Sequence, residues 1–554
     1  MSAVVDRSFG PCDDGAKSRG AFFTPPAICD FIAGWAIRSS TDRVLEPSCG
    51  DAAFLTSVAQ RLGPAGAGSA SQLIGFDQVQ GVELHEPSAM SAAAAIARLA
   101  RPSTIMVGDF FDLSPDPTFN AVVGNPPFIR YQDFAGASRV KAQKRALTHG
   151  VRLTGLASSW AAFVVHAAQF LAPGGRLGLV LPAELLSVNY ASTVRSFLLR
   201  RFASVRLIMF EERVFPGVSE EVVLLLAEGD GPTDQFTVRQ IRDASELAQL
   251  DGVSTSWRPR ATDDKWLPAL LPADTTKVYG DLLSDAFVHL SIWGDPYLGA
   301  VTGNNRYFAL TIDEVRTLGL MEKRDVIPVS PPGSKHLRGL ELTDAAWHTL
   351  GAASERTWLF YPHEPLSDAA RSYIAQGQVD GVPEAYKCKM RSPWWRVPIV
   401  PKPDLFLTYM NHDSPRLVSN RAALVHLNSI HGVCLKPGFK RLGMELLPIA
   451  MLNSMSMLGA ELVGRSYGGG MLKIEPKEAG RMPVPSKALL EKAAPELRAL
   501  IPQLGQALRG GDLSKAVSLV DRVLLVDGAQ LKRPDVANLR EGREAMFSRR
   551  AARA

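Results

Sequence analysis

The chain has 554 residues, 46% of them hydrophobic and 21% charged, with a formal net charge of +5. That is ordinary globular composition, with room for two or three domains that each bury a core. Cys12, Cys29, Cys49, Cys388 and Cys434 are scattered, odd in number and without CxxC spacing, which excludes a disulfide framework and a zinc site and leaves buried thiols and no metal as the expectation. No N-terminal apolar segment and no run long enough to cross a bilayer stands out, so a cytoplasmic protein is expected, without a membrane partner.

Strand-like apolar runs recur from Asp42 to Ala227: "RVLEP", "QGVEL", "TIMVGD", "FNAVVGN", "GRLGLVLP", "VRLIMF" and "EVVLLLAE". Several are apolar at successive positions, as strands buried on both faces are. Between them "AAFLTSVAQRL", "PSAMSAAAAIARLA", "SSWAAFVVHAAQFLA" and "YASTVRSFLLRRF" carry helical periodicity. The alternation predicts an α/β domain over residues 1–240 with a mostly parallel sheet. Only "EERVFPGVSE" separates the last two strands, which predicts an antiparallel hairpin at the sheet edge.

From Gly229 to Trp266 the sequence turns polar and irregular, and a linker is expected there. A mixed α+β domain is expected over 241–485, with short strands in "GAVTGNNRYFALT", "YKCKMRSPWWRVPIV", "PDLFLTYM" and "RSYGGGMLKIEP". A helical segment over 486–554 closes the chain in the basic "SRRAARA". The basic surplus lies in this half: residues 1–240 hold 21 Lys and Arg against 22 Asp and Glu, and the remainder 40 against 34.

Chemistry-bearing residues collect at the predicted strand ends. Gly50 in "VLEPSCGDAAFL" stands between a strand and a helix, where backbone can approach a ligand at the carboxyl end of a sheet. Glu83 ends the next strand, where a carboxylate can accept both hydroxyls of a ribose; Asp77 is the alternative. Asp109 can accept from an adenine amino group with Phe110 beside the ring, or cap a helix. After "VVG" come Asn125, Pro126, Pro127 and Phe128, a rigid extended turn in which the prolines hold the Asn125 amide and the Pro126 carbonyl in place.

The order acidic-Pro-x-x-Gly, acidic, Asp-Phe, Asn-Pro-Pro-Phe resembles the amino-methylating DNA methyltransferases, in particular the adenine-specific enzymes of bacterial restriction-modification systems with motifs in the gamma order. The resemblance implies a Rossmann-like catalytic domain followed by a target recognition domain. It also implies S-adenosylmethionine as cofactor, held by Phe23 and Thr24 of "GAFFTPPAICDFI" and by Glu46, Pro47, Gly50, Glu83, Asp109 and Phe110. Asn125, Pro126, Pro127 and Phe128 become the catalytic turn, and Phe128 and Phe215 the aromatics that stack on an adenine flipped out of duplex DNA. The family often has a second glycine where this chain has Ala52, which narrows the cofactor pocket.

In the second half, "YKCKMRSPWWRVP" interleaves Lys387, Lys389, Arg391 and Arg396 with aromatics, a pattern suited to phosphates and bases. A methyltransferase acting on RNA or a protein glutamine would lack so large a C-terminal region, and a non-catalytic specificity subunit would not need the Asn125 turn. Any cognate restriction endonuclease is expected as a separate chain, because neither end of the sequence resembles a nuclease domain.

Overall fold

The computed structural model describes residues 24–63, 78–98, 103–212, 214–215, 221–250, 254–259 and 264–551. Phe23, Asp77, Cys12 and nearly all of the Gly/Ala/Ser loop after Leu62 therefore lie outside the described residues. The chain divides into two compact units, Met1–Leu270 and Leu271–Ala554.

The first unit is built on a nine-stranded mixed sheet. Its strands are β1 (Val44–Glu46), β2 (Val79–Glu83), β3 (Ser103–Val107), β4 (Phe119–Gly124), β5 (Leu171–Pro182), β6 (Ser204–Phe210), β7 (Val222–Glu228), β8 (Phe236–Ile241) and β9 (Thr255–Trp257). They run in the order β3-β2-β1-β4-β5-β7-β6-β8-β9. From β3 to β5 all neighbours are parallel. Helices α1 (Pro26–Ala36), α2 (Ala53–Leu62), α3 (Glu86–Ala97), α4 (Gly136–Thr148), α5 (Ser159–Ala167) and α6 (Ser192–Arg201) supply the cover. Gly178 of β5 lets α1 approach closely: a Cβ there would stand 2.7 Å from Ile32 Cγ2.

Two expectations about this sheet are corrected. The β6–β7 hairpin is not at the edge: β7 slots between β5 and β6, antiparallel to both. Its six consecutive buried residues, Val222 to Ala227, suit that central place. The stretch expected as a linker instead extends the sheet, β8 pairing parallel with β6 and β9 antiparallel with β8. Phe236, Val238 and Ile241 point into the core, and Phe236 stacks on the buried Trp266 at 4.3 Å. Few apolar anchors suffice when a neighbouring strand supplies the hydrogen bonds.

The second unit contains a five-stranded sheet ordered Gly294–Leu298, Ile430–Leu435, Leu405–Thr408, Leu417–Asn420, Glu341–Leu342, together with smaller sheets. Its core gathers Phe308, Trp347, Trp358, Phe360, Trp395 and Phe406. The closing helices are part of this unit: Lys487–Arg509 packs on Lys440–Ala450, and Arg533–Ala551 on Ser454–Val463 and Ala273–Ser284. The "YKCKMR" segment is a short helix, Tyr386–Lys389, running into irregular chain, rather than a strand. Among the described residues no single helix is long and apolar enough to cross a membrane.

Candidate functional site

The chain runs outward from β1 through β2 to β3 and then returns to place β4 on the other side of β1. That reversal between β1 and β4 is the switch point at which open α/β sheets leave a crevice beyond their carboxyl ends. Sequence order 46, 83, 109, 125 thereby becomes the spatial order Asp109, Glu83, Glu46, Asn125 across four adjacent strands.

At the end of β1, Glu46 is 2% exposed and its Oε2 finds no hydrogen-bond partner. Burial, with Asp51 nearby, pushes its carboxyl well above the usual carboxylate range. Its Cγ lies beside Gly124, where an added Cβ would come within 3.3 Å, so Glu46 abuts the residue preceding Asn125. The following turn carries two left-handed residues, Gly50 at φ 51° and Ala52 at φ 68°. A Cβ at Gly50 would meet open space, whereas buried Ala52 bears a Cβ in a conformation that costs L-residues about 1–2 kcal/mol.

Glu83 organises this loop. Its Oε2 accepts from the Gly50 amide at 2.9 Å and its Oε1 from the His85 amide at 2.8 Å, which leaves each oxygen a further lone pair. Asp109 caps the turn after β3, accepting from the Phe111 amide at 2.9 Å, and its other oxygen meets Lys141 Nζ of α4 at 3.0 Å. Phe110 is buried in an aromatic cluster, 5.5 Å from Phe163 and 4.7 Å from His166. Burial, aided by Arg145, pushes the His166 imidazole down to about 4, so a neutral ring packs there at ordinary pH.

The turn after β4 is held from three directions. Asn125 Nδ2 donates to Thr24 Oγ1 at 3.2 Å, and Ser48 Oγ donates to the Asn125 carbonyl at 3.4 Å. Ser159, at the start of α5, donates its hydroxyl to the Pro127 carbonyl, accepts from the Ile129 amide at 2.9 Å, and donates its own amide to the Ile129 carbonyl at 3.1 Å. Pro126 is buried. Phe128 is partly buried and packs on the same apolar cluster that contains Phe215, which is 4% exposed.

Thr24 thus meets Asn125 directly, and Pro47 lies against Gly124. Ser159 and Lys141 escaped the sequence reading. A Ser-Ser pair ahead of an apolar helix reads as an N-cap, and a lysine on a polar helix reads as a solvated face.

In the second unit, exposed Lys389 pairs with Glu384 at 2.6 Å and exposed Arg396 with Glu364 at 2.9 Å. Arg391 turns inward, donating to the carbonyls of Val301 at 2.7 Å and Thr302 at 2.5 Å. Lys387 is exposed, its ammonium 5.5 Å from the Tyr386 ring centroid. Gly303 sits against this segment, where a Cβ would come within 2.9 Å of Lys387 Cβ, so "TGNN" supports it.

The donor set fits S-adenosylmethionine. A buried carboxyl group with one unpartnered oxygen suits a cationic group, a left-handed turn with open space at the Gly50 Cβ position gives backbone access, and Glu83 retains acceptor capacity.

Two family models match the chain: the N-6 DNA methylase over residues 12–251, and the C-terminal domain of the type II methyltransferase M.Eco57I over residues 263–525. Type II methyltransferase M.XamI of Xanthomonas campestris pv. amaranthicola is 25% identical over 497 residues, covering 86% of this chain and 87% of the relative. Type II methyltransferase M.AccI of Acinetobacter calcoaceticus is 20% identical over 496 residues, with the same coverage of 86% and 87%. Among solved structures, the type IIL restriction-modification enzyme MmeI in complex with DNA is similar in fold, with a TM-score of 0.54 at 13% identity over 94% of this chain and 75% of that one.

Proposed function

We propose that the chain is a type II N6-adenine DNA methyltransferase, as the match of one such family model to each half supports, and that it methylates N6 of adenine at a specific site in duplex DNA, using S-adenosylmethionine. The observation that carries this reading is the placement of Asp109, Glu83, Glu46 and Asn125 at the carboxyl ends of four adjacent strands.

S-adenosylmethionine supplies a methyl group on an electron-poor sulfonium. Glu46 would balance its positive charge by giving up the proton that burial makes it hold when no cofactor is bound, Glu83 would accept from the ribose and Asp109 from the adenine amino group. The target nitrogen is a poor nucleophile because its lone pair is delocalised into the ring. The Asn125 side-chain oxygen and the Pro126 carbonyl accept from that amino group, which favours a tetrahedral nitrogen with its lone pair aimed outward. Pro126 and Pro127 keep the two acceptors from drifting, and such placement supplies much of the acceleration in an in-line displacement. No enzyme nucleophile is called for, and Cys49 in the nearby turn is a buried thiol pushed up by desolvation, then by Glu46.

In a duplex the target must leave the stack, and Phe128 and Phe215 are the aromatics proposed to receive it. The second unit serves as the target recognition domain, with exposed Lys387, Lys389 and Arg396 able to exchange solvent or an ion pair for phosphate. The setting that fits is the modification arm of a cytoplasmic restriction-modification system, with any cognate endonuclease on another chain. RNA or protein glutamine as substrate is disfavoured because both unit 2 and its family match would then have no role.

Methylation-sensitive sequencing of DNA from cells expressing this chain alone tests the reading. N6-methyladenine at one recurring sequence is expected. Unmethylated DNA from cells containing the folded protein would refute it.

A further inference from the structure

A knot of guanidinium groups in the second unit is not absorbed by the site described above. Arg338 Nη1 meets Asp413 Oδ1 at 2.8 Å and Arg416 Nη2 meets Asp413 Oδ2 at 2.9 Å, while Arg543 Nη2 donates to the Asp413 carbonyl at 3.4 Å. They come from separate places: the loop before Glu341, the turn joining two strands at 412–416, and the last helix. The Asp413 carboxylate therefore holds two permanent cations and its backbone carbonyl meets a third, Arg543, which also pairs with the exposed Glu544 at 3.2 Å and lies 4.8 Å from the Phe547 ring centroid.

Polar groups inside the knot are not all satisfied. Arg416 is 4% exposed and its Nε has no acceptor, and the buried Nε of Arg543 has none either. Burial pushes the Arg416 guanidinium down, an effect that Asp413 opposes. A cation-rich cluster with unmet donors is short of an anion. Arg338, whose side chain is 41% exposed, and the 39% exposed side chain of Asp413 open the cluster to solvent.

The neighbouring backbone suits the same ligand. Arg550, 3% exposed, closes a buried pair with Glu461 at 2.8 Å and also donates to the carbonyls of Gly470 and His412. It thereby fastens the "YGGG" loop beside the knot. In that loop Gly469 holds φ 71° with open space where a Cβ would point, and Tyr467 is exposed next to Lys473, whose ammonium lies 5.3 Å from its ring centroid.

Resting on the reading of this chain as a DNA methyltransferase, we propose that Arg338 and Arg543, braced by Arg416 and Asp413, bind a backbone phosphate of the DNA. Guanidinium forks match phosphate oxygens in pairs, and such a contact positions the duplex without reading its sequence.

The test is fluorescence anisotropy of a labelled duplex over a series of salt concentrations, with Arg338→Gln, Arg543→Gln, the double variant and Arg338→Lys, each checked for an unaltered melting temperature. Loss of this one phosphate contact in the double variant should lower the salt slope by about one unit, so the affinity lost between about 50 and about 200 mM salt shrinks by about 3.5-fold, with each single variant falling between that and wild type. Duplexes with and without the methylation site should weaken alike, and Arg338→Lys should keep the slope. If the folded double variant retains the wild-type slope, the knot is a structural salt bridge and the proposal falls while the methyltransferase reading stands. If wild-type protein binds no duplex at any salt, both fall.

Discussion

The side-chain amide of Asn125 donates to the hydroxyl oxygen of Thr24 at 3.2 Å, joining residues 101 positions apart. Thr24 lies one residue ahead of Pro25, the N-cap of α1, so the segment entering the first helix sets the orientation of the amide on the turn after β4. Thr24→Val keeps the shape and removes the acceptor. It should lower the single-turnover rate by about 2- to 13-fold, by loss of one hydrogen bond worth about 0.5–1.5 kcal/mol, with duplex affinity unchanged. Rapid-quench methyl transfer beside a gel-shift titration separates the two effects.

Glu46 predicts a pH dependence. Its carboxyl is raised in the folded protein by burial, so the folded state holds a proton that the unfolded chain releases. Stability from this group is fully present below the ordinary carboxylate pKa and is lost as pH rises towards the folded value. Glu46→Gln should remove that loss: without cofactor, the variant should melt at or above the wild-type temperature at pH 8, yet bind S-adenosylmethionine more weakly. Melting curves from pH 5 to pH 8 and calorimetric titration check both.

Ala52 occupies a left-handed position that glycine adopts without a Cβ penalty. Ala52→Gly should stabilise the protein by about 1 kcal/mol and leave cofactor affinity equal or tighter. Chemical denaturation reads the first and calorimetry the second. A destabilised variant would mean that the methyl's packing outweighs the backbone strain.

The sheet shows where sequence patterns suffice. β1, β4, β5 and β7 are legible because successive residues such as Val222 to Leu226 are apolar, and the strand-end residues Glu46, Glu83, Asp109 and Asn125 follow from the turns that close them. Pairing is not written in those runs: nothing local to "EERVFPGVSE" says that β7 lies between β5 and β6. β8 and β9 were hidden because Phe236, Val238 and Ile241 alternate with polar residues within a stretch rich in turn signals. Cations mislead for a related reason. Arg391 and Arg550 look like solvated charge in sequence, and only the fold reveals that carbonyls and a carboxylate have drawn them inward.

Phe128 and Phe215 share an apolar cluster, so the stacking role and the packing role need separate readouts. With 2-aminopurine at the target position, wild-type protein should raise fluorescence on binding, and Phe215→Ala should slow transfer by loss of about 1–3 kcal/mol of base stacking. Phe128→Ala should be more severe, because Phe128 also supports the Asn125 turn. Normal single-turnover rates in both folded variants, with lowered melting temperatures, would assign the rings to the core alone.

The central claim is that the Asn125 turn acts on an adenine amino group. Its most direct test is single-turnover transfer of a radiolabelled methyl group to a duplex carrying the recognised site, followed by nucleoside analysis, for wild type and Asn125→Ala. Label in N6-methyladenine with wild type, and its loss in an Asn125→Ala protein that still binds DNA and S-adenosylmethionine within a few-fold, is the predicted result. Substantial turnover by the variant, or label on any other nucleoside, would contradict the account.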